Sequence, residues 1–98
     1  MTGTDRDALL DLAAARAKAY LDGLAGRRVP PAATTDDLVD SFAAATPEVG
    51  TEPLAVLEGL CQKVEPGLTA MSSPRFFGFV IGGTYPVALA ADWLTSAW

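Results

Sequence analysis

A few side chains in this sequence could do chemistry, and each lacks the partner it would need. Lys18 and Lys63 are the only lysines. An amine nucleophile needs a desolvated pocket or a nearby cation to lower its pKa, yet both lie among charged residues on the polar sides of helical segments. Cys61 is the only cysteine, so no internal disulfide can form. It falls on an apolar stripe, where a thiol packs as a small hydrophobe. Ser72 and Ser73 are adjacent, but the chain has no His, which excludes a Ser–His hydrolase within these residues. A metal site would have to be built from carboxylates, and none are spaced for it. Asp92 is a lone carboxylate between Ala91 and Trp93 in an apolar segment; the spacing has it reaching solvent or a backbone donor. GFVIGG, Gly78 to Gly83, precedes a helical segment, as anion-holding glycines do. It is neither GxGxxG nor a Walker A sequence, and no basic residue follows it.

The bulk composition narrows the partners. The chain has 98 residues, enough for one small domain, with 50% hydrophobic and 19% charged residues. That composition is not that of a disordered chain. A compact chain of this size buries roughly 60–65% of its unfolded surface, which leaves it marginally stable. The net charge is −5, and Arg27–Arg28 is the one basic cluster. A polyanion needs several positive contacts, so nucleic acid is not an expected partner. An anionic membrane surface is disfavoured for the same reason. The longest uncharged stretch, Phe76 to Ala91, is broken by Gly82, Gly83 and Pro86 and is shorter than the ~20 residues a span requires. The N-terminus has no basic region followed by an apolar run. A cytoplasmic location is the expectation.

The elements that must position these residues are helical. Thr4 is placed to cap a first helix, with Asp7 at its third position. Leu10, Ala13, Ala14, Ala17, Tyr20, Leu21 and Leu24 make its apolar stripe, and Gly23 and Gly26 can end it. Pro30 and Pro31 keep the next segment out of a helix. A second helix is predicted from Asp36 to Ala44, capped by Thr34 or Thr35. Thr51 is read as the cap of a third, with Pro53 in its first turn and Leu54, Leu57, Leu60, Cys61 and Val64 on its apolar face. Phe76 to Ile81 is expected to be extended or irregular, with a turn at Gly82–Gly83. Thr84 is read as the cap of a last helix, again with Pro86 in the first turn. The fold class is therefore mostly α, with three to four helices and an irregular Phe/Gly-rich segment.

The last helix is apolar on two sides. Val87, Ala90, Ala91, Leu94 and Trp98 form one stripe, while Leu89 and Trp93 form another. Such a helix is buried from two sides. Left exposed with Phe76, Phe77 and Phe79, it would form a large apolar patch of the kind that marks a missing partner. No Gly, Pro or terminal Lys or Arg follows. The expectation is the opening part of a larger protein, with residues 1–72 a helical dimerisation segment and 73–98 a pocket-wall loop and the start of a buried helix.

Three motifs carry a resemblance. Ser73-Pro74-Arg75-Phe76-Phe77-Gly78-Phe79, then Gly82-Gly83-Thr84-Tyr85-Pro86, then Ala90-Ala91-Asp92-Trp93-Leu94 resemble the N-terminal region of bacterial group II pyridoxal-phosphate-dependent decarboxylases. These belong to the aromatic-amino-acid and glutamate decarboxylase family. YLDGLAGRRVPP (20–31) and TEPLAVLEGL (51–60) look like the family's first helix end and the helix before the Phe segment.

The resemblance implies a fold-type I (α/β) parent that works as a homodimer, with an amino acid as substrate. It implies that Phe79, Ile81 and Gly82 match positions lining the substrate pocket. In the family the Schiff-base lysine, the ring-stacking His and the Asp at the pyridine nitrogen lie further along the chain. The chain alone is thus expected to be inactive and to bind no pyridoxal phosphate. Animal aromatic decarboxylases have two aromatics, a Pro and a Thr near this point, where this sequence has Phe79-Val80-Ile81-Gly82, so a hydroxyl contact to substrate is not implied. Two alternatives stay open on the residues alone. One is a stand-alone helical protein that self-associates through its aromatic segment. The other is a regulatory partner of a full-length decarboxylase.

Overall fold

The computed structural model describes residues 3–98. In chain order it runs α1 (Gly3–Gly23), a 3-10 turn (Leu24–Gly26), α2 (Thr35–Ser41), α3 (Pro53–Val64), a second 3-10 turn (Glu65–Gly67) and α4 (Pro86–Ala97), with no strand among the described residues. The chain is mostly helical, and Phe76 to Ile81 is irregular, as expected. No helix among the described residues is long and apolar enough to cross a membrane.

Local chemistry sets the helix starts. Thr34, not Thr35, caps α2. Its hydroxyl accepts from the Asp37 amide at 3.1 Å, and the Asp37 carboxylate accepts from the Thr34 amide at 3.1 Å, closing a capping box. The cap of α3 is Glu52 rather than Thr51. Its two carboxylate oxygens accept from the amides of Leu54 at 3.1 Å and Ala55 at 3.0 Å. A long side chain with two acceptors next to Pro53 satisfies two orphan donors at once. Tyr85 rather than Thr84 is the N-cap of α4, extended at φ −64° and ψ 135°, with no side-chain cap bond. The residue before a proline is driven to that extended conformation, which fixes the boundary one residue late. Thr4 lies inside α1, which is already helical at Gly3. The second helix stops at Ser41 rather than Ala44, where the Ser41 hydroxyl donates to the Leu38 carbonyl at 2.8 Å.

Packing is thinnest where the helices are. α3 packs on α1 and α2. The covered residues of α1 and the turn after it are Leu9, Leu12, Ala14, Arg16, Ala17, Tyr20 and Leu24. Ala14, Ala17, Tyr20 and Leu24 belong to the predicted stripe, whereas Leu10, Ala13 and Leu21 of that stripe face out. On α3, Leu54, Leu57, Cys61 and Val64 are half-buried and Leu60 is exposed. Leu38 of α2 lies against Gly67, where a Cβ would come 2.6 Å from Leu38 Cδ2; the glycine is the seat for that side chain.

The buried residues among those described are Leu24, Ala70 and Ser73. They mark a small core between two loops rather than between helices. Residues 27–33 and 65–76 run side by side, joined by Ala33 N–H to the Pro66 carbonyl and Ala70 N–H to the Val29 carbonyl, both 2.9 Å. Backbone bonds of this kind let irregular chain be buried without orphaned polar groups.

The molecule is open for its length. Its radius of gyration is 15.8 Å, against about 13 Å for a compact chain of 100 residues. Its accessible surface is 7568 Å², where a compact monomer of this mass exposes about 5,300 Å². Much of the surplus lies along α4, in which every residue but Leu89 is exposed.

Candidate functional site

The Phe/Gly-rich segment begins on a fixed point. Ser73 is buried, and its hydroxyl accepts from the Arg75 amide at 3.2 Å, while its carbonyl accepts from the Phe76 amide at 3.0 Å. The Phe76 ring then folds back over Gly78, where a Cβ would come 2.8 Å from Phe76 Cζ. Phe76 and Phe79 stack with centroids 6.4 Å apart and planes 27° from parallel.

This aromatic pair reverses the chain. The Ile81 amide donates to the Gly78 carbonyl at 3.2 Å, and the two residues between, Phe79 at φ 57° and Val80 at φ 55°, are left-handed. The turn thus lies at Phe79–Val80; Gly82–Gly83, where a turn was expected, is irregular chain leading into α4, with no glycine at positive φ among the described residues. A left-handed conformation is costly for any L-residue and most unusual for a β-branched one. The Phe76–Phe79 stack lies on this reversal, ahead of the glycines.

All three pocket residues proposed from the sequence lie in or just after this turn, and all face solvent. Phe79 is 86% exposed and Ile81 36%, and Gly82 is open. Phe77 is 90% exposed, whereas Phe76 is half-buried. The turn presents apolar rings outward with nothing covering them.

Beside it, an apolar groove of ≈ 560 Å³ separates α1 from the start of α4. Leu21 and Leu24 line one wall, Leu89 and Trp93 the other, and Lys18, Ser72 and Thr84 supply its polar atoms. Lys18 is exposed, and the groove has no carboxylate in its lining. The other lysine, Lys63, is also exposed and sits 5.6 Å from the centroid of the Phe42 ring. Asp92 is exposed on α4. Cys61 is half-buried. No group of three or more His, Cys, Asp or Glu among the described residues is arranged to hold a metal.

Two arginines go unmarked by spacing alone. Arg27 lies over the Tyr20 ring at 5.1 Å and donates to the Glu65 carbonyl. Arg75 donates to the Arg27 carbonyl. These residues are 48 positions apart, and no local pattern joins them. No family model, curated protein or solved structure matches the chain.

Proposed function

We propose that this chain is the N-terminal part of a pyridoxal-phosphate-dependent amino-acid decarboxylase, in which it forms part of the substrate-pocket wall and of the dimer contact. The observation that carries the reading is the outward display of Phe79 and Ile81 on a strained turn, inside the motif that resembles that family. Apolar rings held in the open at a cost in backbone energy are suited to close against another surface. The surface of this chain in excess of a compact monomer, roughly 2,000 Å², is more than the about 800 Å² that one partner buries in a standard interface.

Pyridoxal phosphate supplies an electron sink for loss of the carboxylate when it is bound. The residues of this chain do not fit it. The amine at the groove, Lys18, has no acid beside it to pair with a pyridine nitrogen, and Lys63 lies over a phenyl ring elsewhere. The lysine, the acid and the stacking group therefore belong to the rest of the enzyme. The part played here is steric: Phe79, Ile81 and Gly82 shape the wall against which the substrate side chain rests. A wall of this kind acts by orienting the reacting bond, where small misplacements cost large factors in rate.

The same uncovered surface favours a second reading, a helical protein that self-associates without catalysis. The native mass and visible spectrum of the protein carrying this segment separate the two. A larger protein with bound pyridoxal phosphate, reduced by borohydride at a lysine other than Lys18 and Lys63, is the expected result. A native protein of 98 residues without cofactor absorbance overturns the decarboxylase reading.

A further inference from the structure

Arg27 and Arg75 hold together three segments that the helices leave apart. The Arg27 side chain stacks on Tyr20 near the end of α1, with its guanidinium 5.1 Å from the ring centroid, and donates to the Glu65 carbonyl after α3. The Arg27 carbonyl accepts in turn from the Arg75 guanidinium, four residues before Phe79. The backbone amide of Arg75 is anchored on the buried Ser73 hydroxyl. Arg75 is thus tied at both ends, by its own amide to the loop core and by its side chain to Arg27, the residue that follows the first 3-10 turn.

Besides the side-chain tie, the aromatic turn is anchored at its start by the Phe76 amide on the carbonyl of buried Ser73, at 3.0 Å; beyond Phe76 no long-range bond holds it among the described residues. Phe77, Phe79 and Val80 are exposed, and the turn's own hydrogen bond, Ile81 N–H to Gly78 O, is local. Phe76 is half-buried and its ring contact runs to Phe79, within the same loop. A planar guanidinium suits this task. It stacks on an aromatic face while its N–H groups still reach carbonyls.

We infer that Arg27 and Arg75 form a two-link latch that sets the orientation of the Phe76–Ile81 turn, making them positioning residues for the pocket wall. The inference rests on the pocket-wall reading for its functional meaning. The latch itself is measurable in the chain without catalysis, so the two can fail separately.

The experiment is amide hydrogen exchange by NMR on the 98-residue chain and four variants, Arg75→Met, Arg75→Lys, Arg28→Met and Arg27→Met combined with Arg75→Met. The Ile81 amide reports the turn, and amides of α1 and α3 report the rest of the fold. Arg75→Met is expected to speed Ile81 exchange about fivefold to tenfold, as loss of one solvent-exposed hydrogen bond does, and to leave α1 and α3 unchanged. Arg75→Lys, which keeps one donor, restores part of the protection. Arg28→Met removes the same charge next to the latch and changes nothing at Ile81. Arg27→Met combined with Arg75→Met adds little beyond Arg75→Met alone, since both cut the same chain of contacts. An Ile81 amide unprotected in the parent chain, or unaffected by Arg75→Met, overturns the latch. So does exchange that rises equally in α1 and α3, because a residue needed only for overall stability would act that way.

Discussion

The Phe76 ring lies over the backbone of Gly78 and stacks on Phe79, with centroids 6.4 Å apart. This relationship makes the position between the two rings intolerant of a side chain. Gly78→Ala would bring a Cβ to 2.8 Å from Phe76 Cζ, so the ring must swing off Phe79. The cost is about 1 kcal/mol, at the low end for overpacking because the clashing atom is the movable end of a ring. Phenylalanine near-ultraviolet dichroism should weaken, with a matching drop in denaturation midpoint.

Val80 is fully exposed and left-handed. Val80→Gly removes a conformational penalty without losing a packing contact. Part of the gain is offset by the greater freedom of glycine in the unfolded chain. The net effect is a stabilisation of about 0.5–1 kcal/mol, read by urea denaturation. A loss of stability would mean that Val80 does not hold the left-handed conformation in solution.

The two stacked rings should behave differently in the isolated chain. Phe79 is 86% exposed, and Phe79→Ala should change stability by less than about 0.5 kcal/mol, as surface substitutions do. Phe76 is half-buried, and Phe76→Ala should cost about 1–2 kcal/mol from lost apolar burial. Thermal melts of both variants check the contrast.

Thr34 supports α2 by two reciprocal bonds with Asp37. Thr34→Ala should destabilise the chain by about 1 kcal/mol, typical of a lost N-cap. The Thr34 backbone amide first, and then its side chain, hold the Asp37 carboxyl below the ordinary carboxylate value. A carboxyl lowered by folding contributes stability that is complete above its unfolded value and is lost as pH falls through the folded one. The parent chain should therefore lose α2 helicity in the acid range below the ordinary Asp value. Thr34→Ala, which keeps the backbone amide and loses only the hydroxyl, should weaken that dependence in part, followed by far-ultraviolet dichroism against pH.

Much of the helical frame was legible in the sequence because prolines and acidic caps punctuate it. Pro53 and Pro86 begin α3 and α4, and Thr34 with Asp37 begins α2. The register of α1 was legible in part. Ala14, Ala17, Tyr20 and Leu24 of the predicted stripe are covered, but Leu9, Leu12 and Arg16 are covered in place of Leu10, Ala13 and Leu21, because Ala fills so many positions that neighbouring stripes fit nearly as well. Gly82–Gly83 was the obvious turn, yet the reversal falls at Phe79–Val80, and no local rule marks a Phe–Val pair for left-handed backbone. The candidate pocket residues were legible only through a motif resemblance. The Arg27–Arg75 link depends on two loops meeting across 48 residues, and hydrophobic periodicity carries no signal for it.

The most direct measurement for the central claim is the release of carbon dioxide from L-amino acids by the native protein that carries this segment, with and without Phe79→Ala. The account predicts turnover that depends on pyridoxal phosphate. It also predicts a fall in kcat/KM of about tenfold or more in the variant, at an unchanged melting temperature, as loss of substrate orientation requires. Absence of turnover with every amino acid tried, or full kinetics with Phe79→Ala alongside a lowered melting temperature, would contradict the assignment of this turn as a decarboxylase pocket wall.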